Sequence, residues 1–252
     1  MKLCLAYTVF THELLEQSIA NHIDLVDGII ICYQEISNKG NKTAFPIDKF
    51  THEKITIVKY EPNLALGTKL NEVCKHNLMI KTAKNKGFSH IILSACDHFY
   101  DKNQFAYVKQ QVIDKDYDIS YTKMFTYYRN PIYQITPIED YYMPFIIKLH
   151  TNTQVESNVK TPVLVDPSVK VNTCKNWKLF SEHEIMLHHY SMIRLDIKDK
   201  FKNAAASIRW KPEQVQRFIS EYENFSIEDN KPIEYFQNRK CKVVRNYFNI
   251  AN

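Results

Sequence analysis

The chain has 252 residues, of which 44% are hydrophobic, 13% aromatic and 24% charged, with 4 Gly and 9 Pro; that balance excludes disorder, collagen-like structure and a small disulfide-stapled scaffold. Lys+Arg exceed Asp+Glu by 33 − 28 = 5, a mild excess that suits an anionic ligand and falls short of a nucleic-acid-binding signature. At this length one large α/β domain or two small ones fit, and the absence of any 18-residue apolar run argues against a bilayer span.

In chain order, residues 2–10 form a mostly apolar run that reads as a first β-strand rather than a signal peptide, because it breaks at His12 and Glu13 with no small-residue cleavage site after it. Thr11 is placed to cap a helix carrying Leu15, Ile19, His22 and Ile23 on one face. Asp27-Gly28 turns the chain into Ile29-Ile30-Ile31-Cys32-Tyr33, a continuous apolar run of the kind buried in a parallel sheet. A loop over 37–42, a strand over 54–60, an amphipathic helix over 68–86 ended by Gly87, and a strand over 90–94 follow. Beyond Asp116 come aromatic-rich strands (117–121, 124–128 and 145–147) punctuated by Pro131, Pro137, Pro144, Pro162 and Pro167. From Lys211 the pattern returns to helix, with Pro212 in the first turn and Val215, Phe218, Ile219 and Tyr222 on one face.

Strands alternating with helices imply right-handed crossovers and a sheet covered on both faces, with ligands beyond the carboxyl ends of its strands. That rule points to Thr8–Thr11, Tyr33–Glu35, Asn63–Lys69 and Ala95–Tyr100; no GxGxxG or GxxxxGK[ST] phosphate loop occurs. The six cysteines (Cys4, Cys32, Cys74, Cys96, Cys174, Cys241) contain no CxxC pair, so buried, reduced thiols of a cytoplasmic protein are expected.

Three clusters carry chemistry. A strand that runs straight into Asp97-His98 sets a carboxylate and an imidazole at the ligand edge, where the pair can hold a divalent metal; the plain alternative is an Asp97 turn cap beside an exposed His98. His188-His189 alternate across a strand, so only one faces a given site, and Arg194 just after them is suited to a phosphate or to a surface acid. A helix starting near Thr68 offers backbone N–H groups that, with Lys69, suit an anion; Lys75 and Asn77 lie further along it within reach of the sheet edge.

Taken in order, Tyr7-Thr8, Cys32-Tyr33-Gln34, Lys75-His76-Asn77, Gly87 before His90-Ile91-Ile92-Leu93, Ala95-Cys96-Asp97-His98-Phe99-Tyr100, Pro162-Val163-Leu164-Val165-Asp166-Pro167 and His188-His189-Tyr190-Ser191 resemble a bacterial and phage group of family-2-like glycosyltransferases of GT-A fold. The resemblance covers about residues 2–210. It implies a mixed sheet flanked by helices in a single domain, with a nucleotide-sugar half over 1–110 and an acceptor half over 111–252. It also implies a nucleotide-sugar donor, a UDP-sugar foremost, and a divalent metal, Mn²⁺ or Mg²⁺. By carry-over Asp97 meets the metal, with His188 or His189 as a later ligand; Thr8, Tyr33, Gln34 and Glu35 lie near base and ribose, and Lys75 near the diphosphate. Where the family has D-x-D-E-F-Y, this chain has Ala95 for the first Asp and His98 for the Glu, which lowers the charge and hardness of the site and favours Mn²⁺ over Mg²⁺.

Direct displacement at the anomeric carbon needs a general base, and Glu184 is preferred to Glu139, Asp140 and Glu182 for its nearness in sequence to the His pair. The acceptor is expected to be a surface glycan or glycolipid, or a hydroxymethylated base in phage DNA, with Lys198, Lys200, Lys202, Arg209 and Lys211 tilting toward an anionic one. Two rival readings stay open beside metal dependence through Asp97, His98 and His188 or His189: metal-independent transfer relying on Lys69, Lys75 and Arg194, and a non-catalytic nucleotide- or glycan-binding relative that has lost a carboxylate at Ala95.

Overall fold

A computed structural model describes residues 1–172, 175–203 and 210–251; Cys174 and Arg209 lie outside the described residues. In chain order its principal elements are β1 (Leu3–Val9), α1 (Leu15–His22), β2 (Gly28–Tyr33), β3 (Ile55–Lys59), α2 (Thr68–Asn85), β4 (His90–Ala95), β5 (His98–Phe99), α3 (Lys102–Lys115), β6 (Ile119–Thr122), β7 (Met124–Tyr128), β8 (Tyr133–Thr136), β9 (Met143–Lys148), β10 (Trp177–Leu179), β11 (Leu187–Met192), α4 (Ile197–Asn203), α5 (Pro212–Glu223) and β12 (Lys240–Val243). The fold is mixed α/β. Its elements fall into two compact units, residues 1–123 with 140–187 and residues 124–139 with 188–252.

The first unit is built on a seven-stranded sheet of order β10-β6-β9-β4-β1-β2-β3. β4, β1, β2 and β3 run parallel, as the alternation of apolar runs with helices requires, while β9 is antiparallel to β4 and to β6. β1 and β2 are buried almost throughout because both of their faces are covered. Cys4 and Ala6 join the apolar cluster formed with Met79, Ile80 and Ala83 of α2, whereas Tyr7 is bonded to Ser18 and His22 of α1. Gly28 admits the Phe88 ring where a Cβ would overlap it, and Gly87 ends α2 with φ of +73°, which side chains disfavour.

Two local expectations change. α1 begins at Leu15, not at Thr11: a turn in which Leu15 N donates to His12 O precedes it, and no side chain caps it. α3 has no counterpart in the sequence reading. It starts where the Asp101 carboxylate accepts from Asn103 N and Gln104 N, and it ends at Asp116 in the left-handed region.

The second unit carries the strand order β12-β8-β7-β11, with β8 antiparallel to β7 and β12. Tyr128, Ile135, Met192, Phe201, Phe218, Ile219, Tyr222 and Phe236 form its core. α5 has Pro212 in its first turn and buries Phe218, Ile219 and Tyr222, the face the sequence predicts. Among the described residues no helix is long and apolar enough to cross a membrane. None of the five described cysteines is in a disulfide, and of these Cys4, Cys32 and Cys96 are buried, Cys74 is exposed on α2 and Cys241 is half-buried.

Candidate functional site

Register aligns the carboxyl ends of the parallel strands. Thr8 of β1 lies opposite Cys32 of β2 and Ala95 of β4, and Tyr33 lies opposite Lys59. The Thr8 hydroxyl donates to Ser94 O at 3.4 Å. Past this edge β4 stops at Ala95, which supplies no donor atom, and the chain turns into β5 through Asp97 and His98.

His98 does not match the plain turn reading, which left it exposed, since it is only 6% exposed; Asp97 is 4% exposed, and the cap of α3 is Asp101. His98 Nε2 stands 3.9 Å from Asp97 Oδ1. On the other side of the ring, Nδ1 is 3.3 Å from Ala95 N and 3.4 Å from Ser94 Oγ. The backbone N–H can only donate, so that contact places the ring proton on Nε2; with the proton on Nδ1, donated to Ser94 Oγ, Nε2 presents a lone pair. Burial lowers the pKa of His98, offset in part by Asp97, which keeps the imidazole neutral and fit to ligate.

The loop after β2 is locked by its own side chains. Tyr33 stacks on Phe45 at 4.7 Å and Phe45 on Phe50 at 5.2 Å. Gln34 Nε2 donates to Ile36 O at 2.8 Å, while its buried Oε1 has no partner among the described residues. Glu35 is half-exposed and paired at 2.8 Å with Lys59, which also pairs with Glu61; those two carboxylates hold the Lys59 ammonium above its ordinary pKa.

On α2, Lys69 is exposed in the first turn, and Gly67 before the helix provides no side-chain cap. Lys75 is 3% exposed, with Nζ 3.0 Å from Glu72 Oε1 and 5.9 Å from the Tyr60 ring centre. Glu72 also accepts from Asn38 Nδ2, and Lys75 and His76 hold its carboxyl below the usual range against the opposing effect of burial. Glu72 and Asn38 are residues the sequence reading passed over, although the i,i+3 spacing of Glu72 and Lys75 was a signal for the pair. Asn77 is engaged at both ends with the Val155 backbone (3.0 and 2.7 Å), and His76 Nδ1 donates to Ser168 O at 2.8 Å.

Glu184 accepts from Ser181 N at 2.7 Å and lies 3.8 Å from Lys178. The Ser181 hydrogen bonds and Lys178 hold its carboxyl below the usual range although burial opposes them, which weakens it as a base.

In the second unit, His188 is buried in an aromatic nest. Its Nδ1 is 2.6 Å from the Tyr127 hydroxyl, and rings of Phe125, Tyr127, Tyr247 and Phe248 surround it at 4.7–5.8 Å. His189, next along the strand, points to the opposite side and is half-buried. Arg194 Nε donates to Ser191 O at 3.1 Å. Glu139 accepts from Thr126 Oγ1 at 2.7 Å, and burial raises its pKa. Of the basic residues near the carboxyl end, Lys198 is paired with Glu223 at 3.0 Å.

No family model matches the chain, and no curated protein matches it. Among solved structures it is similar to S. aureus TarS 1–349, with a TM-score of 0.49 and 10% identity over 76% of this chain and 61% of that one. It is similar also to TarS 1–349 in complex with UDP-GlcNAc, at 0.47 and 11% over 89% of this chain and 72% of that one. A third likeness is to mannose-1-phosphate geranyltransferase from Thermus thermophilus, at 0.33 and 14% over 60% of this chain and 51% of that one. The chain thus spans about three fifths of the length of the first of these.

Proposed function

We propose that this chain is a glycosyltransferase that moves a sugar from a nucleotide-sugar donor, a UDP-sugar foremost, to an acceptor hydroxyl with the help of a divalent cation. The observation that carries the reading is the buried Asp97-His98 turn just beyond the carboxyl end of β4, a central parallel strand. It lies where ligands of open α/β sheets bind, and it stands within the ordered series of motifs that resembles the GT-A group.

The residues present fit a cation. Asp97 supplies a carboxylate, His98 an imidazole kept neutral, and Ser94 Oγ a partner for the Nδ1 proton that frees Nε2. A further protein ligand from the His188-His189 pair is carried over from the sequence resemblance; the Nδ1 of His188 is engaged with the Tyr127 hydroxyl. One carboxylate with imidazoles favours Mn²⁺ over Mg²⁺. When bound, such a cation neutralises charge that develops on the leaving diphosphate.

The other roles are assigned to this chain's own groups. Thr8, Tyr33, Gln34 and Glu35 form the side on which base and ribose are held, with the Tyr33–Phe45–Phe50 stack keeping that wall rigid. Lys69 supplies an exposed positive charge for the diphosphate, whereas the Lys75 charge is largely balanced by Glu72; Arg194 is a further phosphate contact. Glu184 remains the base proposed from the sequence, although its engagement with Ser181 makes it a weak one. The reaction is direct displacement with inversion. The acceptor is a glycan or glycolipid hydroxyl, or the hydroxymethyl group of a modified DNA base.

Donor turnover across a panel of nucleotide sugars with Mn²⁺, Mg²⁺ or EDTA tests the reading. Turnover that needs Mn²⁺ and disappears in Asp97→Ala supports it. Tight nucleotide binding with no turnover on any donor and acceptor offered supports instead a non-catalytic binding protein, the reading in which Ala95 marks lost activity. Transfer to hydroxymethylated DNA, or to a glycan only, decides the acceptor.

A further inference from the structure

We infer that Tyr7, Ser18 and His22 are positioning residues for the Asp97-His98 turn, a role that rests on the metal-site reading above. All three are fully buried. The hydrogen bonds between them run in one direction, and that direction follows from chemistry alone. His98 O can only accept, so Ser18 Oγ donates to it at 2.8 Å. The single Ser18 proton is then engaged, so the Tyr7 hydroxyl donates to Ser18 Oγ at 3.0 Å. Tyr7 Oη in turn accepts from His22 Nδ1, also at 3.0 Å, whose proton is shared with Ser18 O at 2.7 Å. The chain therefore reads His22 to Tyr7 to Ser18 to the carbonyl of His98.

The second end of β5 is held by the same helix, because Tyr100 N donates to Asn21 Oδ1 at 3.3 Å. α1 thus grips the backbone on both sides of Phe99. The surroundings exclude a purely apolar explanation. His22 is ringed by Phe99, Tyr100 and Phe105 at 5.7–6.4 Å, and its Nε2 lone pair has no partner among the described residues. Three polar side chains in such packing are costly unless hydrogen-bonded, and a satisfied network of this kind rigidifies what it holds. The group outside the chain that accepts from them is the backbone of the turn carrying the proposed ligands. Ligand orientation set by partners of this kind is worth about 10- to 100-fold in metal affinity.

The test uses the full chain and two variants, Tyr7→Phe, which keeps the ring and removes the relay, and Ser18→Ala, with Ser18→Thr restoring a hydroxyl. Mn²⁺ binding is read by electron paramagnetic resonance, amide exchange over residues 97–100 by mass spectrometry, and folding by thermal melting. Expected are a loss of Mn²⁺ affinity of about 10-fold or more in Tyr7→Phe and Ser18→Ala, faster exchange at the turn, and recovery of affinity in Ser18→Thr. Mn²⁺ affinity within twofold of the parent in folded Tyr7→Phe overturns the inference, even where exchange quickens, because the relay would then be structural only. A parent protein that binds no Mn²⁺ overturns the metal-site reading itself. A variant that does not fold is replaced by the other, since Tyr7→Phe removes the bonds of Tyr7 to Ser18 and His22, and Ser18→Ala those of Ser18 to Tyr7 and His98 O.

Discussion

Buried histidines mean different things in the two units. In the parallel-sheet unit, His98 sits against a backbone N–H, a serine hydroxyl and a carboxylate, and a relay of hydroxyls ends on its own carbonyl. In the antiparallel unit, the Nδ1 of His188 meets the Tyr127 hydroxyl, and the rings of Phe125, Tyr127, Tyr247 and Phe248 lie around it. Burial alone does not separate a ligand from a packing group; the partner of the second ring nitrogen and the polarity around it do.

The largest effect is expected at the one carboxylate of the turn. Asp97→Ala removes the charged ligand and is predicted to lower Mn²⁺ affinity and donor turnover by at least about 100-fold, whereas His188→Phe leaves Mn²⁺ affinity within about twofold and costs about 1 kcal/mol of stability through the lost Tyr127 bond. Isothermal titration with Mn²⁺ and urea unfolding check the pair. Equal loss of metal binding in both variants would erase the contrast between the units.

Ser94→Ala sharpens it from the other side. With no hydroxyl to take the Nδ1 proton, His98 keeps the tautomer that faces the Ala95 N–H, and Mn²⁺ affinity is expected to fall about 10-fold. Unchanged affinity, measured at the same pH, shows that the tautomer partner is irrelevant.

Acid is the third lever, and the sign follows from burial. His22 is pushed down to about 3 and His90 to about 4, in both cases mainly by desolvation, against an ordinary value of 6.5. Their neutral forms are favoured in the folded chain, so the unfolded chain binds more protons between those values. Their contribution to stability is fully present above about pH 6.5 and is lost as pH falls toward 4 and then 3, by up to about 1.4 kcal/mol per pH unit for each group. Urea midpoints at pH 7.5, 6 and 5 should fall in that order; a flat series contradicts it.

The smallest change is expected at Glu184. Its carboxylate is engaged with Ser181, so Glu184→Gln should reduce turnover by less than about threefold and stability by about 1 kcal/mol. A loss near 100-fold, with stability unchanged, restores it as the general base.

Much of this architecture is legible in the chain. The runs behind β1, β2 and β4 are continuous because both faces of the sheet are covered, and a pattern of that kind survives any detail of packing. α5 announces itself through Pro212 and a single apolar face. α3 escapes because only Phe105, Val108 and Val112 of its 14 residues are buried, leaving a polar sequence whose clearest sign is the Asp101 cap. Lys75 reads as a sheet-edge cation until Glu72 and Tyr60 are seen around it, an arrangement fixed by how α2 packs rather than by its own spacing.

By itself, then, the sequence determined the alternating parallel core, the position of Asp97-His98 just past a strand end, and the missing carboxylate at Ala95, since these depend on local pattern and residue identity. Tertiary structure alone decided that His98 is buried with a choice of proton partners, that His188 belongs to an aromatic nest, and that α1 reaches across to hold the turn. The reason is physical: pKa, tautomer and orientation depend on groups distant in sequence, such as Ser18, which lies 80 residues from His98, and no spacing rule carries that information.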